Sequence, residues 1–490
     1  MDEMIQVSTA TRRIEVSGGN FRNKHVSVSS LRGFLPADCY GGRGNRTPKP
    51  ITIQLKGLNK AIETVVPIDG ETGKPRREFQ GRGWVREFFK KHNIRVGSVL
   101  ELERLGNREY QLSLGKSTLG PSFSEFFAGI GLVRVALERE GFHHVFANDI
   151  DPQKLRMYSA NFGESDFRLG DIQKVTGDEV PSCDLATASF PCTDLSIAGA
   201  MNGIHSGESS MFWEFIRIIE EMGVRRPPLI LLENVPGFLM SNNGGDLAGA
   251  LQALNGLGYA CDLFQVDASH FVPQSRLRLF VVGRASVGTR ANFGEEALSS
   301  RDETIRHFII SHPDIDWRLL PLPRLPRRQM ALQNILEDLP DDHEAWWDRE
   351  RAEYFFNQLS PRHLAVAKAM IAQRHYSYGT AFRRVRKGRS MAELRTDGVA
   401  GCLRTPRGGS GRQILFRGGK GRYAVRLLTG RECARLQGVP DSFPVNVPLN
   451  QSLFGFGDAV CVPVIEWIAH NYLKPTLTDY ARAEGVPCAK

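Results

Sequence analysis

The chain has 490 residues, of which 41% are hydrophobic and 24% charged, and its formal net charge is +9. This length predicts two to four globular domains with ample core. No run approaches 18 apolar residues and the first residues lack an apolar signal-like region, so we expect neither a membrane span nor secretion. The eight cysteines form no Cys-x-x-Cys pair, which argues against a zinc site and a disulfide framework and favours the reducing cytoplasm.

Positive charge is concentrated in the first quarter of the chain. Residues 1–120 hold 21 Lys and Arg against 12 Asp and Glu, an excess of 9 that equals the excess of the whole chain. A basic patch predicts a polyanionic partner, most often nucleic acid. On charge alone, a solvated basic surface without such a partner is an equally good interpretation.

The chain begins with a polar segment, 1–30, that we expect to be partly disordered. Residues 31–114 predict a small β-rich domain. Its predicted elements are strands at 51–55, 63–68 and 99–103 and a helix at 84–92. The pattern that combines Trp84, Phe88, Ile94, Gly97 and Leu100 resembles B3-type DNA-binding pseudo-barrels. A scaffold barrel that binds no DNA is the alternative.

After a Gly- and Ser-containing linker at 115–121, residues 122–284 alternate between strand and helix patterns. This alternation predicts an α/β domain with a doubly wound, mostly parallel sheet. The predicted strands are 123–127, 145–149, 184–188, 229–233 and 276–282, and the predicted helices are 131–140, 211–222 and 247–257. Residues 285–425, rich in Arg, Pro and Gly, predict an irregular inserted domain. Residues 426–475 return to the first domain, and 476–490 form a tail.

A glycine-rich turn, 127–131, joins the first strand of the α/β domain to its first helix. Such a turn lets a ligand approach backbone amides at the helix N-terminus, although an ordinary tight turn has the same sequence signature. Asp149 ends the second strand, where a carboxylate can hold two ribose hydroxyls. Asp171 ends a following segment and could accept the amino group of an adenine. Together these residues predict a cofactor that contains adenosine but no pyrophosphate.

Three other strand ends carry chemically active side chains. Cys192 follows a buried strand, at a position where α/β sheets bind ligands, but alone it could be a small buried thiol. Glu233 ends the most apolar strand, so its carboxyl would be partly desolvated and could hold a proton, unless it caps a helix or forms a salt bridge. Gln274, Arg276 and Arg278 share one face of the last strand, as a surface charge ladder or a clamp for substrate.

The order and spacing of these motifs across residues 122–473 resemble those of the DNA cytosine-C5 methyltransferases. The matching segments are Phe127-Ala128-Gly129-Ile130-Gly131, similar to the family's S-adenosylmethionine loop; Phe190-Pro191-Cys192, its nucleophile motif; Glu233-Asn234-Val235, its acid motif; Gln274-x-Arg276-x-Arg278, its base-holding motif; 431–438, which follows its target-recognition domain; and 457–460, its last motif. The resemblance implies a Rossmann-like methyltransferase fold and transfer of a methyl group from S-adenosyl-L-methionine to C5 of a cytosine flipped out of a specific duplex sequence.

The resemblance also implies a role for individual residues. Cys192 would attack C6 of the cytosine, Glu233 would act at N3, and Arg278 with Arg276 would hold O2. The implied cofactor contacts are Phe127, Ala128, Gly129, Ile130, Gly131, Asp149, Ile150, Asp171, Ile172, Pro191, Met211, Asp458 and Val460. The implied DNA contacts are Ser196, Gln274, Arg404, Ser410 and Arg412, and no metal is implied.

Several residues depart from the family's usual pattern. Glu125 stands where an aspartate is usual, Asp149 where a glutamate is usual, and Asp458 where an asparagine is usual. Ile150 replaces an aromatic residue that often stacks on adenine, so that contact would be weaker. Because Cys192 and its partners match, we expect an active enzyme.

The implied partner is double-stranded DNA, and a cognate restriction endonuclease is an expected second partner. We also expect a monomer in the cytoplasm, associated with the nucleoid. The alternatives are a tRNA cytosine-5 methyltransferase of the same fold and a DNA-binding relative without catalytic activity.

Overall fold

A computed structural model describes residues 11–42, 47–92, 94, 98–115, 120–190, 210–285, 294–386, 388–405 and 411–483. Three sheets organise these residues: one near the N-terminus, a large sheet in the middle of the chain, and one in the inserted region. Each sheet has a hydrophobic core of its own.

The N-terminal unit is built on a five-stranded sheet with strand order β1-β4-β5-β2-β3. Its elements are β1 (Thr11–Glu15), α1 (Gly18–Asn23), β2 (Ile51–Leu55), β3 (Lys60–Thr64), α2 (Arg82–Lys91), β4 (Val99–Arg104) and β5 (Glu109–Leu114). The alternation in β2 buries Ile51, Ile53 and Leu55. The apolar side of α2 covers this core, as the spacing of Trp84 and Phe88 predicts.

Two boundaries expected for this unit are wrong. The domain predicted at 31–114 includes residues from 11 onward, because β1 pairs with β4 and Ile14 and Val16 are buried in the same core, whereas residues 1–10 lie outside the described residues. The strand expected at 63–68 is shifted to β3, which pairs with β2. Strand β5 was not predicted, and the B3-type pseudo-barrel stays a prediction.

The central sheet has seven strands in the order β11-β12-β10-β9-β6-β7-β8. Its strands are β6 (Ser122–Phe126), β7 (His143–Asp149), β8 (Phe167–Leu169), β9 (Leu185–Ala188), β10 (Leu229–Asn234), β11 (Tyr259–Asp267) and β12 (Leu277–Ala285). Its helices are α3 (Leu132–Arg139), α4 (Pro152–Phe162), α5 (Ser210–Glu221), α6 (Gly237–Met240) and α7 (Gly245–Gly256). The five strands β8, β7, β6, β9 and β10 are parallel neighbours in that order, whereas β12 is antiparallel to β10 and β11.

This sheet confirms the α/β prediction, with helices on both faces and a core under each. All six residues of β10 are buried, as expected for a central strand covered on both sides. The hairpin of β11 and β12 was not predicted. It places residues 276 and 278 beside Glu233, because β12 runs antiparallel to β10.

The inserted region is more regular and shorter than predicted. Its elements are α8 (Glu295–Ser299), α9 (Glu303–Ser311), α10 (Arg349–Asn357), α11 (Pro361–Ile371), β13 (Ser377–Arg386), β14 (Arg389–Arg395), β15 (Ile414–Gly419) and β16 (Arg422–Leu427). Strands β13 to β16 form an antiparallel sheet with order β14-β13-β15-β16. Helices α8 and α9 instead pack on the core of the central sheet through Ala297, Ile305 and Phe308. The domain predicted at 285–425 therefore begins with two helices that belong to the α/β core.

The chain returns to the central sheet through α12 (Gly430–Leu436), α13 (Leu449–Asp458), α14 (Val462–Ile468) and α15 (Lys474–Ala483). The tail predicted from residue 476 is wrong at its start, because α15 continues to Ala483 and Thr476 is buried. By length and composition the stretch Leu449–Arg482 could cross a membrane, but 67% of its most apolar window is buried within the fold. This burial identifies it as core helix.

Candidate active site

Glu233 and Arg278 form an ion pair where β10 and β12 end side by side. Arg278 Nε lies 2.9 Å from Glu233 Oε1, and the two side chains are only 15% and 10% exposed. The guanidinium also donates from Nη1 to the carbonyl of Leu277 at 2.8 Å. The sequence placed both residues in one site, and the structure brings them into contact.

The segment that leads to Cys192 is anchored beside this pair. Asn234 Nδ2 donates to the carbonyl of Phe190 at 3.2 Å, and the Phe190 ring packs edge-on against Phe238 with a centroid distance of 5.8 Å. Cys192 itself, like Pro191, Ser196 and Ser410, lies outside the described residues. Asn234 was present in the acid motif of the sequence, but no role was predicted for it; its amide fixes the backbone two residues before the predicted nucleophile.

Arg276 has a different surrounding from the one predicted. Its Nη1 donates to the Leu403 carbonyl at 2.8 Å, and its Nη2 donates to the carbonyls of Gly457 at 3.2 Å and Ala459 at 2.7 Å. Only 3% of the residue is exposed. Arg276 therefore joins three chain segments at the site through its two terminal nitrogens, while its buried Nε has no partner among the described residues, and its assignment to the base stays a prediction.

Gln274 was predicted to contact DNA, and this is wrong. The residue is fully buried. Its Nε2 donates to the Leu436 carbonyl at 2.8 Å, and its Oε1 accepts from the Leu403 backbone at 3.0 Å. Both ends of the amide are thus used to join the last strand to α12 and to the segment after β14.

Cys402 is a thiol that sequence analysis did not place in the catalytic site. Its Sγ lies 3.3 Å from Arg276 Nη1 and 3.8 Å from Arg278 Nη2. Burial raises the pKa of this thiol, but the charges of Arg276, Arg278 and Arg404 outweigh burial and hold the pKa below its usual value. A thiol with a lowered pKa therefore lies beside the Glu233–Arg278 pair.

The glycine-rich turn at 127–131 has the conformation of a ligand-binding loop. Phe127, Gly129 and Gly131 all have positive φ, at 56°, 56° and 80°. A Cβ on Gly131 would lie 2.7 Å from the Phe162 ring, so only glycine fits there. The left-handed backbone at Phe127, a non-glycine residue, is strained in the way that functional loops often are.

Asp149 holds this loop through one carboxylate oxygen and the start of α4 through the other. Oδ2 accepts from the backbone of Gly129 and Oδ1 from that of Asp151, at 2.8 and 2.9 Å. Each oxygen keeps lone pairs for a further donor, as a ribose hydroxyl would require. Asp171 accepts from the Gln173 backbone at 3.0 Å, and the Ile150 side chain is 65% exposed at the same end of the sheet.

The other predicted cofactor residues differ in how they could contact a ligand. The side chains of Ala128, Ile130, Ile172 and Val460 are buried in the core, so a contact from them must use the backbone. Met211 is half-buried in α5. Asp458, at the end of α13, forms an ion pair with Lys154 at 2.8 Å. Glu125 Oε2 is a buried oxygen without a hydrogen-bond partner among the described residues, and burial raises the pKa of this carboxyl well above its usual value.

These features fit S-adenosylmethionine: a glycine cradle, a carboxylate for the ribose and carboxylates for a cation. The site contains no cluster of metal ligands among the residues that the structure describes. Gly457 contacts the backbone of Arg404 so closely that a Cβ would lie 2.6 Å away, which brings the cofactor side and the predicted DNA side together. Arg404 is exposed, and Arg412 donates to Asn450 Oδ1 at 2.9 Å.

Comparison with known proteins agrees with this arrangement. The model of the C-5 cytosine-specific DNA methylase family matches residues 122–474. The chain is 31% identical over 362 residues to the Type II methyltransferase M.DsaV of Dactylococcopsis salina, an alignment that covers 72% of this chain and 86% of that protein. It is 28% identical to M.HhaI of Haemophilus parahaemolyticus, over 73% of this chain and 95% of that protein.

Among solved structures, the Dnmt2 methyltransferase of S. pombe aligns with a TM-score of 0.49 and 18% identity, over 72% of this chain and 98% of that one. The family model covers well over half of the chain. The protein therefore belongs to the C-5 cytosine-specific DNA methylase family, whose members transfer a methyl group from S-adenosyl-L-methionine to C5 of cytosine.

Proposed function

We propose that Cys192, Glu233 and Arg278 carry out the methyl transfer at the carboxyl ends of β9 and β10. The observation that carries this proposal is the Glu233–Arg278 ion pair, which lies next to the anchored backbone of Phe190. A buried acid and a guanidinium at adjacent strand ends match what a cytosine needs: a proton partner at N3 and a donor for O2.

The chemistry starts from the low nucleophilicity of C5. The Cys192 thiolate adds to C6, which turns the ring into an enamine and makes C5 nucleophilic. Glu233 stabilises this adduct by sharing a proton with N3, and Arg278 offsets charge at O2. Bound S-adenosyl-L-methionine supplies an electrophilic methyl group on a sulfonium. C5 takes this methyl group, the C5 proton then leaves to a base, and the thiolate is eliminated, so that Cys192 returns to its starting state.

The target base cannot react inside a duplex, because C6 and C5 are shielded by stacking and pairing. We propose that the base is extruded from the duplex and that the loop at 193–210, of which residues 193–209 lie outside the described residues, takes part in this step. Arg404 and Arg412, together with Ser196 and Ser410 of the undescribed segments, are the proposed contacts to DNA. Major-groove readout by the inserted sheet would then set the sequence.

The N-terminal unit is proposed to bind the DNA backbone through the exposed side of α2. Arg82, Arg86 and Lys90 follow each other at four-residue spacing and are all exposed, so they form one basic ridge. Glu87 on the same helix is neutralised by Lys60 at 2.7 Å. Arg and Lys side chains commonly contact phosphates, and such contacts position a protein on the duplex without reading its sequence.

The relatives M.DsaV and M.HhaI are Type II methyltransferases. We propose that this protein likewise modifies DNA as the companion of a restriction endonuclease and works as a monomer in the cytoplasm, close to the nucleoid. A cell extract that cleaves unmethylated DNA but does not cleave DNA treated with the enzyme would support the presence of a companion restriction endonuclease. Light scattering measures the molar mass of the purified protein. A mass equal to two chains would contradict the proposed monomeric state.

Transfer of a labelled methyl group from S-adenosyl-L-methionine to duplex DNA or to tRNA tests the proposed function. We expect label in DNA and none in tRNA, and no transfer by Cys192→Ala. Label in tRNA alone would identify the RNA-acting alternative. An inactive wild-type protein that still binds DNA would identify the inactive alternative.

A further inference from the structure

Lys154 forms an ion pair across the cofactor end of the α/β domain. The residue lies in the first turn of α4, five positions after Asp149, and its Nζ is 2.8 Å from Asp458 Oδ2 at the end of α13. The pair joins segments that are 304 residues apart in sequence. Both segments carry residues that the family resemblance assigns to the cofactor, namely Asp149 and Asp458.

Three carboxylates act on the Lys154 amine, whereas an ordinary surface ion pair contains one carboxylate. Burial lowers the pKa of this amine, but Asp458, Asp149 and Asp151 outweigh burial and hold it above its usual value. The Lys154 side chain is 20% exposed, compared with 44% for Asp458. One partly buried cation therefore serves several carboxylates that surround the glycine-rich turn.

The fold of the turn at 457–459 does not depend on this ion pair. Arg276 Nη2 already binds the carbonyls of Gly457 and Ala459, at 3.2 and 2.7 Å. Gln437 Nε2 donates to the Phe456 carbonyl at 2.6 Å and to that of Ala459 at 3.1 Å. A second link between the two helices is the bond from Gln451 Nε2 to the Gln153 carbonyl at 2.9 Å. Lys154 is thus available for an electrostatic role.

We propose that Lys154 is a positioning residue of the cofactor site, which it serves by neutralising Asp458 and thereby allowing Asp149 and Asp458 to lie on two sides of one bound ligand. This inference rests on the proposed assignment of Asp149 and Asp458 to the cofactor. Without the amine, two carboxylates in a partly desolvated site would repel each other, and the return segment would be held less well against the glycine-rich turn. Asparagine at 458 would not need the lysine, so the two positions should be coupled.

A double-mutant cycle on the full-length protein tests this coupling. The variants are Lys154→Met, which keeps the length of the side chain without its charge, Asp458→Asn, and the combination of both, with Lys154→Arg as the conservative variant. Calorimetric titration gives the Kd for S-adenosyl-L-methionine, and steady-state assays on DNA give KM and kcat. Thermal unfolding without cofactor reports any general loss of stability.

We expect Lys154→Met to raise the Kd and the KM for the cofactor at least tenfold, while kcat at saturation stays within about twofold. Lys154→Arg and the double variant should return Kd to within about threefold of wild type. The matched control is the Arg139–Glu466 pair between α3 and α14, of similar length at 2.9 Å. Arg139→Met and Glu466→Gln should leave Kd unchanged.

Two results would overturn the inference: a Lys154→Met protein whose Kd is within twofold of wild type, or a double variant that binds as weakly as Lys154→Met alone. A fall in melting temperature with unchanged Kd would show a purely structural pair and would overturn it as well. Failure of the wild-type protein to bind S-adenosyl-L-methionine would instead contradict the proposed function, so the two failures are distinguishable.

Discussion

Arg276 and Arg278 lie two residues apart, just before and at the start of β12, yet their side chains make different contacts. Arg278 pairs with Glu233 and is partly exposed to the site, whereas Arg276 spends four contacts on Cys402, Leu403, Gly457 and Ala459. The period of a strand predicts that the two side chains share a face. It does not predict which of them another chain segment will cover, and this is why the sequence assigned both to the base.

Glu233→Gln should lower kcat by about 10²–10⁴-fold, because glutamine has nearly the same shape as glutamate but cannot give or take a proton at N3. The Kd for S-adenosyl-L-methionine should stay within twofold, since Glu233 is assigned to the base. Single-turnover methylation and calorimetry measure the two quantities. An unchanged rate would remove Glu233 from the mechanism.

Cys402 should be alkylated faster than the other described cysteines. The arginines depress its pKa, so the thiolate persists as pH falls below the range of an ordinary thiol and is lost only on passing the lowered pKa. Burial instead raises the pKa of Cys261 and Cys433 beyond the usual range. Iodoacetamide labelling followed by mass spectrometry, in a Cys192→Ala background, compares the three sites between pH 6 and 9.

A Cys402 labelling rate that depends on pH like that of a free thiol, with a pKa of about 8.5, would contradict the lowered pKa of this thiol. Arg278→Met is the matched control, because it removes one of the charges that favour the thiolate. That variant should shift the labelling profile of Cys402 toward higher pH and leave Cys261 unreactive.

At the level of elements, the strand β16 and the helix α12 are joined by a buried ion pair. Arg426 and Glu432 lie 2.6 Å apart and are 1% and 0% exposed, and Glu432 also completes a capping box with Thr429. The sequence identified residues 431–438 as a family motif, but a motif match does not say whether its residues bind ligand or hold elements together. Here the Glu432 side chain caps the N-terminus of α12 and pairs with the buried Arg426.

Arg426→Met should destabilise the protein by about 3–5 kcal/mol, because it leaves the Glu432 carboxylate buried without its partner. Arg426→Met combined with Glu432→Leu should recover most of this loss, since an apolar pair needs no counter-charge. Denaturant unfolding measures both. Equal stability of the single and double variants would contradict the coupling.

If the basic ridge of α2 contacts phosphates, its charges contribute to the salt dependence of DNA affinity. Arg82→Gln with Arg86→Gln should reduce the slope of log K for DNA against log salt by about 2, since each lost phosphate contact removes about 0.9. The matched control removes two exposed charges, Arg12 and Arg32. The Arg12 strand β1 is at the opposite edge of the sheet from β3, and β3 is the strand that Lys60 ties to α2. The control should change the slope by less than about 0.5, and equal slopes for both variants would contradict the proposed surface.

For the whole molecule, strong periodicity was sufficient to predict the α/β architecture, because the apolar strands β6, β9 and β10 alternate with amphipathic helices. The antiparallel β11–β12 hairpin and the regular inserted sheet were not predictable in the same way. Their arrangement depends on contacts between distant segments, such as the pairing of Cys261 with Trp317 and of Gln274 with Ala400. The order of motifs predicted the site, whereas Lys154, Asn234 and Cys402 became visible only through three-dimensional neighbours.

The identity of the nucleophile is the central claim, because Cys192 is the thiol that the family motif assigns to this role, whereas the thiol that the structure describes beside Arg278 is Cys402. The direct test uses a duplex that carries 5-fluorocytosine at the position that bisulfite sequencing identifies as methylated, together with S-adenosyl-L-methionine. Fluorine at C5 prevents the final elimination, so the covalent protein–DNA adduct accumulates and can be mapped by mass spectrometry. The account predicts an adduct at Cys192 that is absent in Cys192→Ala and retained in Cys402→Ala. An adduct at Cys402, or methylated DNA without any trapped adduct, would contradict it.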